Sequence, residues 1–348
     1  MTEGEYIDVE RKQRLLSEPV NQLRLTPETT VAELVDSFST MSIQARNMGT
    51  AAKIWERMLA DELEPTIFLG LSGPLIAAGL RNVIRDMVAN GHVDVVVSTG
   101  AVIYQDYLYA RGGNHCIARE HASDGDLHDM RINRIFDVYT DDEFFEEMDS
   151  RIADIAEGMD PGNYSSREFV LKMAADVEDE DSIIHACAKA GVPIFVPAIN
   201  DSSIGIGLTR QWARGIDKMS IDSIKDNYEI VQTIVNSRCS GGIYIGGGVP
   251  KNYINDAIVM ANLNFGATQE GHKYAIQVST ATSADGGLSG STLSEAVAWG
   301  KIRNEATRAM VFSEVSLGLP LLYGYVLGKD PGRFRKPKRL NGLLDNLE

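Results

Sequence analysis

The stretch from Thr66 to Val97 constrains the fold more than any other part of the chain. Thr66-Ile-Phe-Leu-Gly70 is an apolar run too short for a helix, and it breaks on small residues, Ser72-Gly-Pro-Leu-Ile-Ala-Ala-Gly79. Leu80 to Ala89 then reads as a helix, and Val93-Asp-Val-Val-Val97 is a second short run rich in β-branched residues. Strand, tight glycine turn, helix and strand make a βαβ unit, whose two strands lie parallel because the helix carries the chain back to the starting edge. A parallel sheet needs cover on both faces, so this unit predicts an α/β fold with helices on either side.

The pattern recurs. Val192 to Pro197, Ser240 to Val249 and Tyr274 to Val278 read as further buried strands, each leading into small residues: Asn200-Asp-Ser-Ser-Ile-Gly205, Gly246-Gly-Gly248, and the long loop Ser279 to Gly290. Ser98-Thr-Gly-Ala101 follows the second strand in the same way. Open α/β sheets bind ligands beyond the carboxyl ends of their strands, so these loops are where a site is expected. Neither of the first two turns matches Gly-x-Gly-x-x-Gly, and by motif each is as much an ordinary strand-to-helix turn as a phosphate cradle. Asp201 has the chemistry to accept from a ribose or an amide, and equally to close an Asx turn. The triple glycine lets backbone approach a ligand closely.

Thr30-Val-Ala-Glu33 reads as a capping box opening a helix, with a second helix from Ala45 to Leu63 ending before Pro65. Asp141 to Glu157, Ser166 to Ala175, Ser182 to Ala190 and Asn255 to Asn262 are further helices, Gly191 is a C-cap, and a helix after Lys301 is expected to carry Glu314. Residues up to about Leu25 lack periodicity and predict an extended arm; the basic stretch Lys329 to Lys338 predicts a peripheral tail. With no internal repeat and no linker, the expected architecture is a single doubly wound, Rossmann-like α/β domain over residues 1–348, with a mainly parallel sheet, an arm at 1–25 and a tail at 329–348.

At 44% hydrophobic and 24% charged over 348 residues, the composition supports a sizeable core. No stretch approaches the roughly 20 apolar residues of a membrane span, and the first residues are acidic, so a soluble cytoplasmic protein is expected. Cys116, Cys187 and Cys239 are odd in number and lack metal spacing, which predicts reduced thiols. A net charge of −16 argues against nucleic acid and is compatible with cationic ligands, although solubility alone accounts for it. Between Arg111 and Arg131 the chain gathers His115, Cys116, His121 and His128 among aspartates; their spacings do not fit zinc frameworks, so a solvated loop and no metal are expected. Arg134 suits a phosphate contact and a structural ion pair equally.

Ser294-Glu-Ala-Val-Ala-Trp-Gly-Lys301-Ile-Arg303 follows the long small-residue loop. Read as a helix capped by Ser294, it puts Glu295 and Trp299 one turn apart on one face and Lys301 beside Val297, Trp299 and Ile302. Desolvation there would disfavour the ammonium and free the amine for imine formation with a carbon electrophile. From these ten residues alone, a surface helix whose lysine snorkels is the simpler explanation.

The stretch closely resembles the lysine-bearing motif of the deoxyhypusine synthase family, a Glu-Ala-Val-x-Trp-Gly-Lys-Ile run. Phe68-Leu-Gly70 through Gly79, Pro197-Ala-Ile-Asn-Asp201-Ser-Ser203-Ile-Gly205 and Gly246-Gly-Gly248-Val-Pro-Lys251 resemble family segments in the family's order, so the likeness runs over most of the chain. It implies NAD-dependent transfer of an aminobutyl group from spermidine through an imine on Lys301 to an acceptor amine, such as the lysine of the hypusine-containing translation factor. It also implies a homotetramer with active sites at a subunit interface. Carried over residue by residue, it assigns cofactor contacts to Gly73, Ala77, Thr99, Gly100, Asp201, Gly247, Thr280, Ala281 and Glu314. Glu295, Trp299, Tyr104, Gln105, Asn252 and Asp285 are its polyamine-pocket positions, with Lys301 catalytic. The chain departs from the pattern at Tyr104, Gln105, Ile206 and Leu288, where acids are usual, and at Asn252, where histidine is. The lost carboxylates leave a small-molecule acceptor, as in homospermidine synthase, as an alternative; NAD binding without transfer is another.

Overall fold

The computed structural model describes residues 8–216, 219–332 and 335–347. Its centre is a six-stranded sheet of β1 (Thr66–Leu71), β2 (Val95–Ser98), β3 (Ile194–Phe195), β4 (Ser240–Ile245), β5 (His272–Ser279) and β6 (Ile302–Phe312). The order across the sheet is β6-β5-β4-β1-β2-β3, and every pairing is parallel. The chain therefore runs outward from β1 through β2 and β3, then crosses back to β4 and runs outward the other way. The switch falls between β1 and β4, the crevice where doubly wound sheets bind ligands.

Side-chain alternation along each strand feeds two cores. Ile67, Leu69 and Leu71 of β1 enter one, together with Ile54 and Trp55 of helix α1 (Ile43–Ala60), Ile84 of α2 (Arg81–Ala89) and Val102 of α3 (Gly100–Ala110). Phe68, from the opposite face, joins Ile230 of the helix Ser223–Val235 and Ile254 and Ile258 of the helix Gly248–Phe265. At Gly70 an added Cβ would stand 3.2 Å from Ile254 Cδ1, so even a methyl there would need that side chain to give by a few tenths of an ångström. Helices cover both faces, as expected of buried parallel strands.

The capping box at Thr30 and Glu33 is present. The His/Cys stretch builds a small antiparallel sheet instead of a plain loop, with strands Cys116–Ile117, Ile132–Ile135 and Val138–Asp141 around the helix Asp124–Asp129. Arg134 pairs bidentately with Asp124 at 2.7 and 3.0 Å, which is the ion-pair role. The described residues hold no cluster of metal-ligating side chains. All three cysteines are free, Cys187 and Cys239 buried. No helix among the described residues is long and apolar enough to cross a membrane.

Three local expectations are corrected. Within residues 8–25 a short helix, Val9–Leu15, interrupts the extended arm, all of its residues exposed. The residues after Lys301 form strand β6, not a helix, and Glu314 stands one residue before the next helix, Val315–Lys329. The basic tail is not peripheral: Arg335 is buried in an ion pair with Asp94 at the amino end of β2, and Lys338 Nζ donates to Glu64 O at 2.7 Å and Thr66 Oγ1 at 3.0 Å beside β1. Leu340 and Leu344 then enter the second core. Exposed basic residues in a sequence look alike whether or not a buried carboxylate waits for them.

Candidate functional site

Four strand ends build the site. Beyond Leu71 the chain turns through Ser72 and Gly73, the latter at φ +102°, where a side chain would be strained. Ser72 Oγ accepts from Gly247 N at 2.7 Å, and Gly246, at φ +77°, donates its N–H to Val278 O at 2.8 Å. The turns after β1, β4 and β5 are thus laced together at the switch point. With Glu314 and Ser316 after β6 they enclose a cleft of about 390 Å³, lined among others by Gly73, Gly247, Thr280, Ala281 and Glu314. Ala77 lies in an adjoining hollow that shares Pro74, Ala78, Glu314 and Ser316 with the cleft and is walled by the tip of the antiparallel hairpin, Ile135 to Val138.

The cleft floor demands glycine. A Cβ on Gly247 would meet the Ser289 backbone, 2.7 Å from its Cα. Gly248 opens α4 (Gly248–Phe265), and no side chain caps that helix's first turn; α3 likewise begins at Thr99-Gly100 without a side-chain cap. Both leave free N–H groups and a positive dipole end at the carboxyl edge of the sheet. Glu314 behaves differently. Its carboxylate accepts from Leu317 N at 3.3 Å and from Ser316 Oγ, filling the N-terminus of the helix Val315–Lys329, and these hydrogen bonds hold its pKa below the ordinary glutamate value against the opposing effect of burial.

Thr99 N donates to Leu71 O at 3.1 Å, which anchors that turn beside β1. Gly100 touches the loop after β3 at Ser202, so close that any side chain on Gly100 would collide with it. Asp201, next to Ser202, is exposed, and its N–H donates to Ala198 O at 3.0 Å. Thr99, Gly100 and Asp201 therefore form a second cluster on β2 and β3, on the far side of β1 from the triple glycine.

Lys301 is reached from α4. The ten-residue helix expected here is a single turn, α5 (Glu295–Ala298), capped by Thr292 and not Ser294: Thr292 Oγ1 accepts from Glu295 N at 2.9 Å, and Glu295 Oε2 accepts from Thr292 N at 3.3 Å. Gly300, at φ +67°, ends the turn, with Gly300 N donating to Val297 O and Lys301 N to Ala296 O in a Schellman arrangement. The lysine side chain folds back so that Nζ lies 2.8 Å from Asp256 Oδ1, donates to Asn252 Oδ1 at 2.9 Å, and stands 5.6 Å from the centre of the Trp299 ring. Asn252 Nδ2 in turn donates to Asp256 Oδ2 at 2.7 Å. The setting is polar where an apolar one was expected, and Trp299 is 68% exposed.

Sequence reasoning quoted Lys251 without giving it a role, and missed Asp256. Lys251 is only 3% exposed, faces no carboxylate among its hydrogen-bond partners, and donates to Ser291 O at 2.8 Å, Ser291 Oγ at 2.9 Å and, at 3.4 Å, to Ser289 O and Gln277 Oε1. Burial pushes its pKa down to about 8; the nearby Lys301 charge lowers it further, and Glu295 opposes. Ser289 lines the cleft, so Lys251 is tied to the cleft wall; Lys301 is near enough for its charge to act on Lys251, but none of the hydrogen bonds of Lys251 reaches the Asn252–Asp256–Lys301 cluster. The available signal was spacing: Asn252 and Asp256 lie four apart, on one helix face.

The remaining polyamine-pocket candidates lie elsewhere. Tyr104 is buried on α3, its hydroxyl donating to Asp149 Oδ1 at 2.8 Å and Phe145 O at 2.9 Å of the helix Asp142–Glu157. Gln105 is buried beside it, with an unpartnered Oε1. Asp285 closes a local capping box with Thr282. Ile206 and Leu288 are exposed.

Residues 33–326 match the family model described as deoxyhypusine synthase. A protein from Chlorobaculum parvum named deoxyhypusine synthase-like protein is 39% identical over 341 residues, covering 96% of this chain and 97% of its own. A protein from Archaeoglobus fulgidus named probable deoxyhypusine synthase 2 is 42% identical over 287 residues, covering 82% of this chain and 94% of its own. Among solved structures, a deoxyhypusine synthase candidate from Entamoeba histolytica superposes with a TM-score of 0.62 at 22% identity, covering 89% of this chain and 97% of that one, a likeness of fold.

Proposed function

This chain belongs to the deoxyhypusine synthase family, and on that premise we propose that it is an NAD-dependent transferase that moves a 4-aminobutyl group from spermidine, or a related polyamine, to an acceptor amine through Lys301. The observation that carries the reading is that the Lys301 amine is held by Asn252 and Asp256 of α4, the helix whose first turn opens at the glycine floor of the cleft.

The residues present fit a dinucleotide. Gly73 and Gly247 line the cleft without side chains, the N-termini at Gly100 and Gly248 offer free N–H groups to a pyrophosphate, and Glu314 and Asp201 offer carboxylates to hydroxyls or an amide. Gly73, Ala77, Thr99, Thr280 and Ala281 would complete its walls. When bound, NAD would accept a hydride from the carbon beside the secondary amine and return it after transfer.

The chain's own part is positioning and proton handling. The Lys301 amine adds to the imine carbon; a new carbon–nitrogen bond forms as the bond to the departing diamine breaks, and the acceptor amine repeats the exchange. Asn252 and Asp256 hold Lys301 Nζ, and the exposed Trp299 ring offers a face to a cationic substrate. Lys251, lowered by burial to about 8, can take the proton that Lys301 must lose once the pH exceeds that value, so transfer should rise with pH through about 8. The acceptor is the lysine of the hypusine-containing translation factor or, because Ile206, Leu288 and Asn252 stand where charged clamps are usual, a small-molecule amine. We further propose a homotetramer acting in the cytoplasm; Trp299 and Val249 are exposed beside the site, as an interface would require.

Incubating the protein with NAD and a panel of polyamine donors and amine acceptors, with products identified by mass, tests the reading. It predicts a product heavier than one acceptor by an aminobutyl unit, absent without NAD. Dinucleotide binding with no amine product in any combination would identify a binding protein instead.

A further inference from the structure

The small antiparallel sheet built by the His/Cys stretch supplies no residue to the lysine cluster. Its strands Ile132–Ile135 and Val138–Asp141 pair from Ile132 opposite Asp141 to Ile135 opposite Val138, so Phe136 and Asp137 are the two turn residues. Two-residue hairpin turns favour glycine, asparagine or aspartate, because the backbone must enter positive φ. Phe136 does so, at φ +52°, and it is 86% exposed. A bulky aromatic in that conformation is strained, and one left in water gains nothing from burial. The turn is nonetheless braced. Arg134 Nη1 donates to Phe136 O at 3.2 Å while its Nε and Nη2 pair with Asp124, and Ala118 N donates to Asp137 O at 2.9 Å. Strain and exposure kept on a braced turn point to something that the ring meets outside the chain's own core.

The tip walls the hollow beside the glycine-floored cleft, a space of about 490 Å³ that Pro74 and Ala77, after β1, and Glu314 also line. Through Pro74, Ala78, Glu314 and Ser316 the hollow continues the cleft, whereas Gly247 and Ser289 line the cleft alone. Ser289 O accepts from Lys251, and the next residue, Asn252, holds Lys301, so the reacting end of a bound dinucleotide belongs on the Ser289 side. Its other end, the adenosine, then extends toward the hollow. We propose that the hairpin tip is the adenine wall of the dinucleotide site: Phe136 stacks on the base in the hollow that Pro74 and Ala77 share, and Asp137 and Glu314 select a ribose with a free 2′-hydroxyl. A flat purine gives an exposed aromatic ring the apolar contact that the core does not. The charged residues lining the hollow are both acidic, so the 2′-phosphate of NADP would meet carboxylates and no cation, whereas a hydroxyl can donate to them. This inference rests on the dinucleotide reading of the cleft and adds the part of the chain that grips the far end.

Calorimetric titration of the full-length protein with NAD, NADP and ADP-ribose tests the assignment, since ADP-ribose carries the adenosine end and lacks nicotinamide. NAD and ADP-ribose should both bind the wild type, with NADP at least about tenfold weaker than NAD. Phe136→Ala should weaken NAD and ADP-ribose by the same factor, about tenfold. Phe136→Trp should restore both and lose tryptophan emission as ADP-ribose binds, and Asp137→Lys should narrow the gap between NAD and NADP. Melting curves check that the variants fold; Ala77→Trp, which fills the hollow from another wall, should exclude ADP-ribose and serves if the tip variants do not. Four results would overturn the proposal while leaving a dinucleotide in the cleft: NAD affinity unchanged in Phe136→Ala, a loss for NAD without one for ADP-ribose, no ADP-ribose binding by a wild type that binds NAD, or NADP binding as tightly as NAD. A smaller oligomer for Phe136→Ala with unchanged nucleotide affinity would likewise overturn it, making the ring a contact between copies. No NAD binding by the wild type would overturn the reading of the cleft itself, and this inference with it.

Discussion

Replacing Lys251 with methionine should remove a pH dependence of stability that the wild type carries. The folded chain holds this lysine at about 8 against 10.5 when free, because its ammonium is buried among carbonyl and hydroxyl oxygens without a carboxylate. The sign follows from proton counting: between the two values the unfolded chain binds the proton and the folded chain does not, so raising pH stabilises the fold. Below the folded value both states are protonated and the burial penalty, about 3 kcal/mol at 1.36 kcal/mol per unit, is present in full. From pH 7 to 9.5 the wild type should therefore gain about 2 kcal/mol relative to Lys251→Met. Urea unfolding of both proteins at the two pH values reads this difference directly, and methionine preserves the buried volume. If the two proteins change in parallel, Lys251 is not a depressed lysine, and its assignment as the proton acceptor for Lys301 fails with it.

Gly247→Ala puts a methyl 2.7 Å from the Ser289 Cα, a clash with backbone that cannot swing aside; overpacking of this kind costs about 1–3 kcal/mol, and dinucleotide affinity measured by fluorescence titration should drop. Asp94→Asn leaves the buried Arg335 guanidinium without its carboxylate and should destabilise the fold by about 3–5 kcal/mol in urea, an effect a peripheral tail would not give. Glu314→Ala removes the acceptor for Leu317 N and should cost about 1 kcal/mol while weakening NAD, separable by melting with and without the dinucleotide.

The parts of this fold that were legible in sequence are those set by local pattern. The unit from β1 to β2 was read to within about two residues, because a six-residue apolar run, a glycine turn and a helix leave one arrangement, and the carboxyl-end loops follow from it. Strand β6 was not legible: Arg303, Asn304 and Glu305 interrupt any alternation, and the pairing with β5 is itself irregular between His272 and Tyr274. The lysine turn was overextended because Trp-Gly-Lys contains its own stop, and glycine at φ +67° with a Schellman pair outweighs the helical spacing around it. Arg335 meets Asp94 across 241 residues, and Lys301 meets Asn252 across 49; no window of sequence contains such pairs. The cleft residues after β1, β4, β5 and β6 were named through family motifs, whereas Lys251 and Asp256 became candidates only when the helix that carries them was seen under Lys301.

Borohydride trapping decides the central claim, that the Lys301 amine carries the transferred group. The wild type incubated with NAD and a polyamine donor, then reduced and digested, should yield a peptide bearing an aminobutyl adduct on Lys301. Lys301→Arg keeps charge and bulk but cannot form an imine, so it should bind NAD as the wild type does and give no adduct. An adduct on Lys251 or any other residue, or transfer by Lys301→Arg at the wild-type rate, would contradict the account.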